Sequence, residues 1–249
     1  MIVLKSEKEL EKMRIAGSIC GTALKIAGEA VEPGITTEEL DAIVRKYIQS
    51  QGAKPSFLGY EGYPASACIS INDQVIHGIP GKRKVRNGDI VSIDVGAYID
   101  GYHGDTAATF AAGDISAEAK RLIDVTRECL YCGIRAAVIG NRIGDISSAV
   151  QTKAEGEGMS VVRDYVGHGV GTEMHEAPEV PNYGRPGRGQ RLLKGMTIAI
   201  EPMINLGDYD VRGLSDNWTV VTMDGSLSAH FEHTIGITED GPIILTQPL

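Results

Sequence analysis

Cysteine is scarce. Four residues at 20, 68, 129 and 132 in a chain of 249 are too few and too scattered for a disulfide scaffold, and they fit a reducing cytoplasm. Basic residues are also outnumbered: 24 Lys+Arg against 33 Asp+Glu leave a net charge of −9. With a pI near 5.2, that balance excludes nucleic acid as the main partner, because Lys and Arg carry phosphate binding. Long apolar runs are missing as well. The opening MIVLKSEKELEKMRIAG has no apolar signal-peptide core, and nowhere does an apolar stretch reach the roughly 18 residues needed to cross a bilayer. The expectation is a cytoplasmic protein with no membrane partner. There is no HExxH, no GxSxG, no Walker A motif and no GxGxxG after a first strand, which sets aside the common zinc-protease, serine-hydrolase, P-loop and dinucleotide designs. What is plentiful is glycine, 31 residues, above the roughly 7% of average usage and suited to tight turns and close backbone approaches.

Apolar spacing predicts a helix over 6–30, with Ser6 as N-cap and Glu9 completing a capping box. Pro33-Gly34 stops it, and Thr36 or Thr37 caps a second helix that ends at Gly52. Segments 65–72, 89–98 and 105–111 read as strands. Helices follow at 116–139 and 144–158, then strands near 161–166, 196–204, 218–224 and 231–238. The order repeats at an offset of about 108 residues, and Gly88–Gly96 overlays Gly195–Met203 so that Asp94 falls on Glu201. The expectation is one α+β domain over residues 1–249, built from pseudo-symmetric halves near 6–112 and 116–238.

Four acids sit in otherwise apolar strands: Asp94, Asp105 eleven positions later, Glu201 closing TIAIE, and Glu232 in AHFEHTIGI. A carboxylate in such a place is costly unless paired or cation-bound. Almost no Lys or Arg flanks these four, and together they would repel each other strongly at interior dielectric. A metal centre offsets both costs. His168, bracketed by Gly167 and Gly169 with Gly171 beyond, is a candidate imidazole ligand. Four carboxylates and one imidazole suit divalent Mn, Fe(II), Co or Zn, and bridging carboxylates permit a two-metal hydrolytic site. The pair Cys129 and Cys132 lies mid-helix with no second pair to complete a zinc site. His230 and His233 read as structural, His103 as a supporting residue beside Asp105, and Lys82–Arg86 as a solvated basic loop.

These motifs, with Tyr60–Pro64, Cys68–Asn72, His77–Pro80, Gly167–His175, Trp218–Val220 and Ser226–Thr234, make the chain resemble the type I methionine aminopeptidases of the pita-bread superfamily across nearly its whole length. The resemblance implies a pseudo-two-fold fold with a central curved antiparallel sheet flanked by helices. It implies two divalent ions, Asp94 chelating one, Asp105 and Glu232 bridging, and His168 and Glu201 completing the other. Glu201 would shuttle a proton, and His77 and His175 would stabilise the developing charge. Phe57, Tyr60, Tyr63, Cys68 and Trp218, with His77 nearby, would line a methionine pocket, and a monovalent cation would sit near Asn72, Gln74 and Ser228. The implied substrates are nascent N-termini with a small second residue, cleaved by a monomer.

Met174 stands where many relatives have an aromatic residue, and Glu61 gives the pocket an acidic mouth. The absence of a Cys-rich extension and of a long helical insertion suggests the short bacterial form. The basic loop offers a contact to RNA near the ribosome exit. Two other readings are an X-Pro peptidase related to prolidase and aminopeptidase P, and a non-catalytic binding protein on the same fold.

Overall fold

The computed structural model describes residues 2–249. Helix α1 (Glu7–Glu29) begins where the sequence predicts, with the Glu9 carboxylate accepting from the Ser6 amide at 2.7 Å. Thr36, not Thr37, caps α2 (Thr37–Ser50), accepting from the Glu39 amide at 3.3 Å. The strands of the first half are β1 (Lys54–Pro55), β2 (Ala67–Ile71), β3 (Gln74–Ile76), β4 (Ile90–Ile99) and β5 (Tyr102–Ala111). A second helical hairpin follows, α3 (Ala117–Ala136) and α4 (Ile143–Gly156). The remaining strands are β6 (Ser160–Val161), β7 (Gly167–Gly169), β8 (Glu176–Val180), β9 (Thr197–Ile200), β10 (Met203–Asn205), β11 (Val211–Gly213), β12 (Val220–Thr222), β13 (Ser228–His230), β14 (Glu232–Thr238) and β15 (Gly241–Ile244).

Nine strands form the main sheet in the order β1-β4-β5-β14-β9-β7-β8, with β2 added on β4 and β15 on β14. Every pairing in it is antiparallel. Around the β5–β14 seam the order is close to a palindrome: β5 faces β14, and β4 and β9 stand one step out. One side of the sheet is apolar. Val91, Ile93, Val95 and Ala97 pack with Cys20, Leu24, Leu40 and Val44 of the first hairpin, while Ile198, Ile200, Ile235 and Ile237 pack with Leu122, Leu130, Ile146 and Val150 of the second. Each buried Val, Leu or Ile among them contributes about 1.5–3 kcal/mol. Period-2 alternation then sends Asp94, Ala199 and Thr234 to the other side.

Three strand predictions differ from the structure for identifiable reasons. The hairpin after Asp94 is tighter than expected, because Asp100 (φ 52°) and Gly101 (φ 89°) form a two-residue turn and β5 already begins at Tyr102. The predicted strand 196–204 splits at Glu201-Pro202, since proline brings no N–H to a ladder; β9 stays in the main sheet and β10 joins β13 and β6. The predicted strand 161–166 shrinks to Ser160–Val161, and the chain crosses over to put Gly167–Gly169 beside β9.

Candidate metal centre

Strand register gathers the acids. Asp94 pairs with Ala107, Gly96 with Asp105, and Glu232 again with Ala107 from the opposite neighbour. Residues directly opposite share a face and diagonal neighbours remain within side-chain reach. Asp94, Asp105 and Glu232 therefore surround the small side chain of Ala107. His233 pairs with Ile200, which brings Glu201 alongside Glu232 as β9 ends. The backbone is held from behind: Thr234 Oγ1 donates to the Asp105 carbonyl at 2.8 Å, Thr106 Oγ1 to the Glu232 carbonyl at 2.7 Å, and Asn182 Nδ2 to the Glu201 carbonyl at 3.0 Å.

His168 completes the group. Its Nδ1 lies 2.9 Å from the Gly169 carbonyl, and a carbonyl only accepts, so the proton belongs on Nδ1 and Nε2 presents its lone pair. Nε2 lies 3.5 Å from Glu201 Oε1 and 3.6 Å from Asp105 Oδ2. Ligand atoms of Asp105, His168 and Glu232 all lie within 4.8 Å of one another. Gly167 and Gly169 are needed here for close packing against neighbouring strands rather than for approach to a ligand, since a Cβ on either would strike a backbone carbonyl, that of Ala199 or Ala177.

The electrostatics ask for a cation. Burial raises Asp94 to about 7 and Glu201 to about 8. Burial, then the neighbouring carboxylates, pushes Asp105 and Glu232 well above the usual range. Among the described residues, Asp94 Oδ1, Asp105 Oδ1 and Glu232 Oε1 are buried without any hydrogen-bond partner. Among the described residues no Lys or Arg lines the cavity above them, and the ion-pair contacts of Asp105 and Glu201 are with histidines, so the alternative of four separate salt bridges does not hold. The histidines do not supply charge either: burial lowers His168 to about 3 and His77 to about 4. Four acid side chains, three with orphaned oxygens, and one imidazole lone pair are a donor set that fits divalent cations.

The cavity over the acids has a volume of about 390 Å³ and is lined by Phe57, Tyr60, Glu61, Tyr63, Cys68, Ile76, His77, Tyr165, Val166, His175 and Trp218 as well as the five candidate ligands. Every pocket residue that the resemblance implies is here. Tyr63 meets Trp218 edge-on at 5.0 Å, and Phe57, Cys68 and the buried Met174 form one apolar cluster with it. His77 sits at φ 58°, a strained position for a non-glycine residue. Its ring is 5.8 Å from Tyr165 and 6.2 Å from Trp218. His175 Nδ1 is 2.8 Å from the Tyr60 hydroxyl, and its ring is 4.1 Å from His168. A larger, open cleft of about 670 Å³ lies on α3 and α4, but its Arg135 and Lys153 are matched to Glu128 and Glu157.

His230 was read as structural, yet it is buried with Nε2 unpartnered, 3.6 Å from Glu201 Oε2. The signal was in the sequence: two positions apart, His230 and Glu232 fall on one side of an extended chain. His233 lies outside the cavity lining, with Nδ1 2.8 Å from Thr246 Oγ1. His103 lies outside the cavity lining and bonds Ser56 Oγ at 2.9 Å. Cys129 is buried on α3 and Cys132 half-buried one turn on, both free. The Ser228 amide donates to the Asn72 carbonyl at 2.9 Å, and β3, which begins at Gln74, packs against β13.

A sheet carrying buried acids and one imidazole toward a half-open cavity is the layout of a metal-dependent hydrolase. The profile of Metallopeptidase family M24 matches residues 11–239, and the chain belongs to that family. Methionine aminopeptidases match the chain over their full length: that of Clostridium acetobutylicum is 56% identical over 247 residues, covering 99% of both chains. The crystal structure of the Thermotoga maritima methionine aminopeptidase superposes with a TM-score of 0.98 at 48% identity, covering 99% of this chain and 100% of that one. The prolidase of Pyrococcus horikoshii shares the fold at a TM-score of 0.79 and 26% identity, but the match spans only 65% of its length. The fold is the α+β pita-bread fold. No described helix is long and apolar enough to cross a membrane.

Proposed function

We propose that this chain removes the N-terminal methionine from nascent proteins and peptides whose second residue is small. The observation that carries the proposal is the acid floor of orphaned carboxylates beneath a pocket walled by Phe57, Tyr63, Cys68 and Trp218. Asp94, Asp105, His168, Glu201 and Glu232 would hold two divalent ions, Mn, Fe(II), Co or Zn. Such ions supply acidification of a water molecule into the neutral range.

The chain's own groups do the rest. Glu201 would carry a proton between that water and the departing amine. His77 is neutral at pH 7 and donates to the scissile carbonyl oxygen as it gains charge, as does His175, steadied by Tyr60. The same acid floor favours a free α-amine and so end-on cleavage. The apolar wall and the Cys68 sulfur suit an unbranched, polarisable thioether, and the flexible Met174 behind them gives that wall some play. Asn72, Gln74 and Ser228 are the proposed monovalent-cation site. The exposed Lys82, Arg83 and Lys84 are the surface proposed to meet ribosomal RNA, and the enzyme is taken to act as a cytoplasmic monomer.

The test is hydrolysis of Met-Ala-Ser, Met-Leu-Ser, Leu-Ala-Ser and Ala-Pro-Ala by chelated protein reloaded with Mn(II) or Co(II). Metal-dependent cleavage of Met-Ala-Ser alone is expected. Cleavage of Ala-Pro-Ala would move the chain to the proline-specific branch. No turnover with metal bound would leave a binding protein.

A further inference from the structure

Lys5 keeps its ammonium inside the protein, its side chain only 2% exposed. A buried ammonium is costly unless fully partnered, and here Nζ donates to Glu176 Oε2 at 2.5 Å and to the Val3 carbonyl at 3.2 Å. The Lys5 amide is fixed as well, donating to the Gly195 carbonyl at 2.7 Å just before β9. Glu176 in turn gathers the loop 171–176, since its Oε1 accepts from Thr172 Oγ1 at 3.4 Å and from the Glu173 amide at 3.3 Å. The loop closes tightly on this pair. A Cβ on Gly171 would lie 2.5 Å from Lys5 Nζ and would overlap Glu176 Oε1. The residue bonded directly to Glu176 is His175, whose ring stands 4.1 Å from His168. Glu176 also pairs with Gly169, next to His168, across β7 and β8. Lys5 lies outside residues 11–239, the part that matches the family.

We propose that Lys5 is a positioning residue for the reaction. Its ammonium neutralises Glu176 and holds the 171–176 loop closed, so that His175 stays between Tyr60 and His168. Without that ammonium Glu176 loses its anchor on Lys5, the loop is released and His175 is displaced with it, whereas the cost in stability comes from the carboxylate left buried and unpaired. The proposal rests on the assignment of His175 as a substrate-facing donor.

The experiment compares full-length wild type, Lys5→Met, Lys5→Arg and the double variant Lys5→Met/Glu176→Gln, each loaded with Mn(II). Three quantities are read: kcat and KM on Met-Ala-Ser, the thermal midpoint, and, on metal-free protein, the His175 ring signals by NMR. Lys5→Met is expected to lower kcat about tenfold with KM little changed, to lower the midpoint, and to shift the His175 signals. Lys5→Arg restores most of the kcat. The double variant removes the orphaned charge, so its midpoint recovers, while kcat and the His175 signals do not. Recovery of both midpoint and kcat in the double variant would show a purely structural ion pair and overturn the proposal. So would a Lys5→Met variant with unchanged kcat and unmoved His175 signals. A wild type inactive on every peptide would overturn the aminopeptidase assignment, and the His175 signals would still decide whether Lys5 holds the loop.

Discussion

The floor and the rim of the cavity are built in opposite ways. The floor is strand register: Asp94, Asp105 and Glu232 are fixed by their pairing with Gly96 and Ala107 in the middle of a nine-stranded sheet. The rim is loop: Tyr60 and Glu61 on a single 3-10 turn, His77 and Glu61 at positive φ, and His175 at the end of an irregular segment. Floor groups are buried, repel one another and each keep an oxygen without a hydrogen-bond partner, whereas rim groups have partners of their own, Tyr60 for His175 and Tyr63 for Trp218. The floor is thus the part proposed to hold cations, and the rim the part proposed to meet the substrate.

Changes to the floor are therefore expected to cost most. Glu232→Gln removes an oxygen donor between Asp105 and Glu201, and kcat/KM on Met-Ala-Ser is expected to fall on the order of 10³-fold. A drop of less than tenfold would mean the floor is not the reaction centre. On the rim, His175→Ala is expected to lower kcat roughly 10²-fold while metal affinity by calorimetry changes only a few-fold. Equal loss of both would erase the division between the two regions.

Protons sharpen it further. Burial raises Asp94 to about 7 and Glu201 to about 8, against roughly 4 for the same side chains unfolded. Between about pH 4 and pH 8 the folded, chelated protein thus holds protons that the unfolded chain has released, and its stability falls as pH rises through that window. Cations must displace those protons, so Mn(II) affinity is expected to fall as pH drops from 8 to 6, by up to about tenfold per unit for each proton displaced. Calorimetry in two buffers of different ionisation enthalpy reads the released protons directly, and a pH-independent affinity would exclude the raised carboxyls from the site. Trp218→Ala opens the pocket wall and is expected to raise KM several-fold with kcat nearly kept, about 1 kcal/mol of binding. Charge reversal at Lys82, Arg83 and Lys84 is expected to leave peptide turnover within about twofold while weakening co-sedimentation with ribosomes, and unchanged co-sedimentation would remove that surface as a contact.

The contrast also explains what was legible in the sequence. Alternation alone set Asp94 apart from Val91, Ile93 and Val95, and the lack of neighbouring Lys or Arg marked all four acids as candidates before any likeness was invoked. The break at Glu201-Pro202 was legible too, through the missing proline N–H, but a continuous apolar pattern from 196 to 204 masked it. His230 was missed although the same alternation places it with Glu232. The rim was a different matter. Nothing in the local pattern around His77 or His175 says that loops remote in sequence bring them over the acids, and only the likeness to a family supplied those residues. Lys5 was invisible altogether, because a lone lysine in a charged N-terminal segment gives no sign that it folds inward onto Glu176.

The most direct test of the carboxylate floor is a calorimetric titration of chelated protein with Mn(II), run on wild type and on Glu232→Gln at pH 7.5. Wild type is expected to bind with release of protons, and the variant to lose the tightest binding step. Equal binding by both proteins, or none by wild type, would contradict the assignment of Asp94, Asp105, His168, Glu201 and Glu232 as a metal centre.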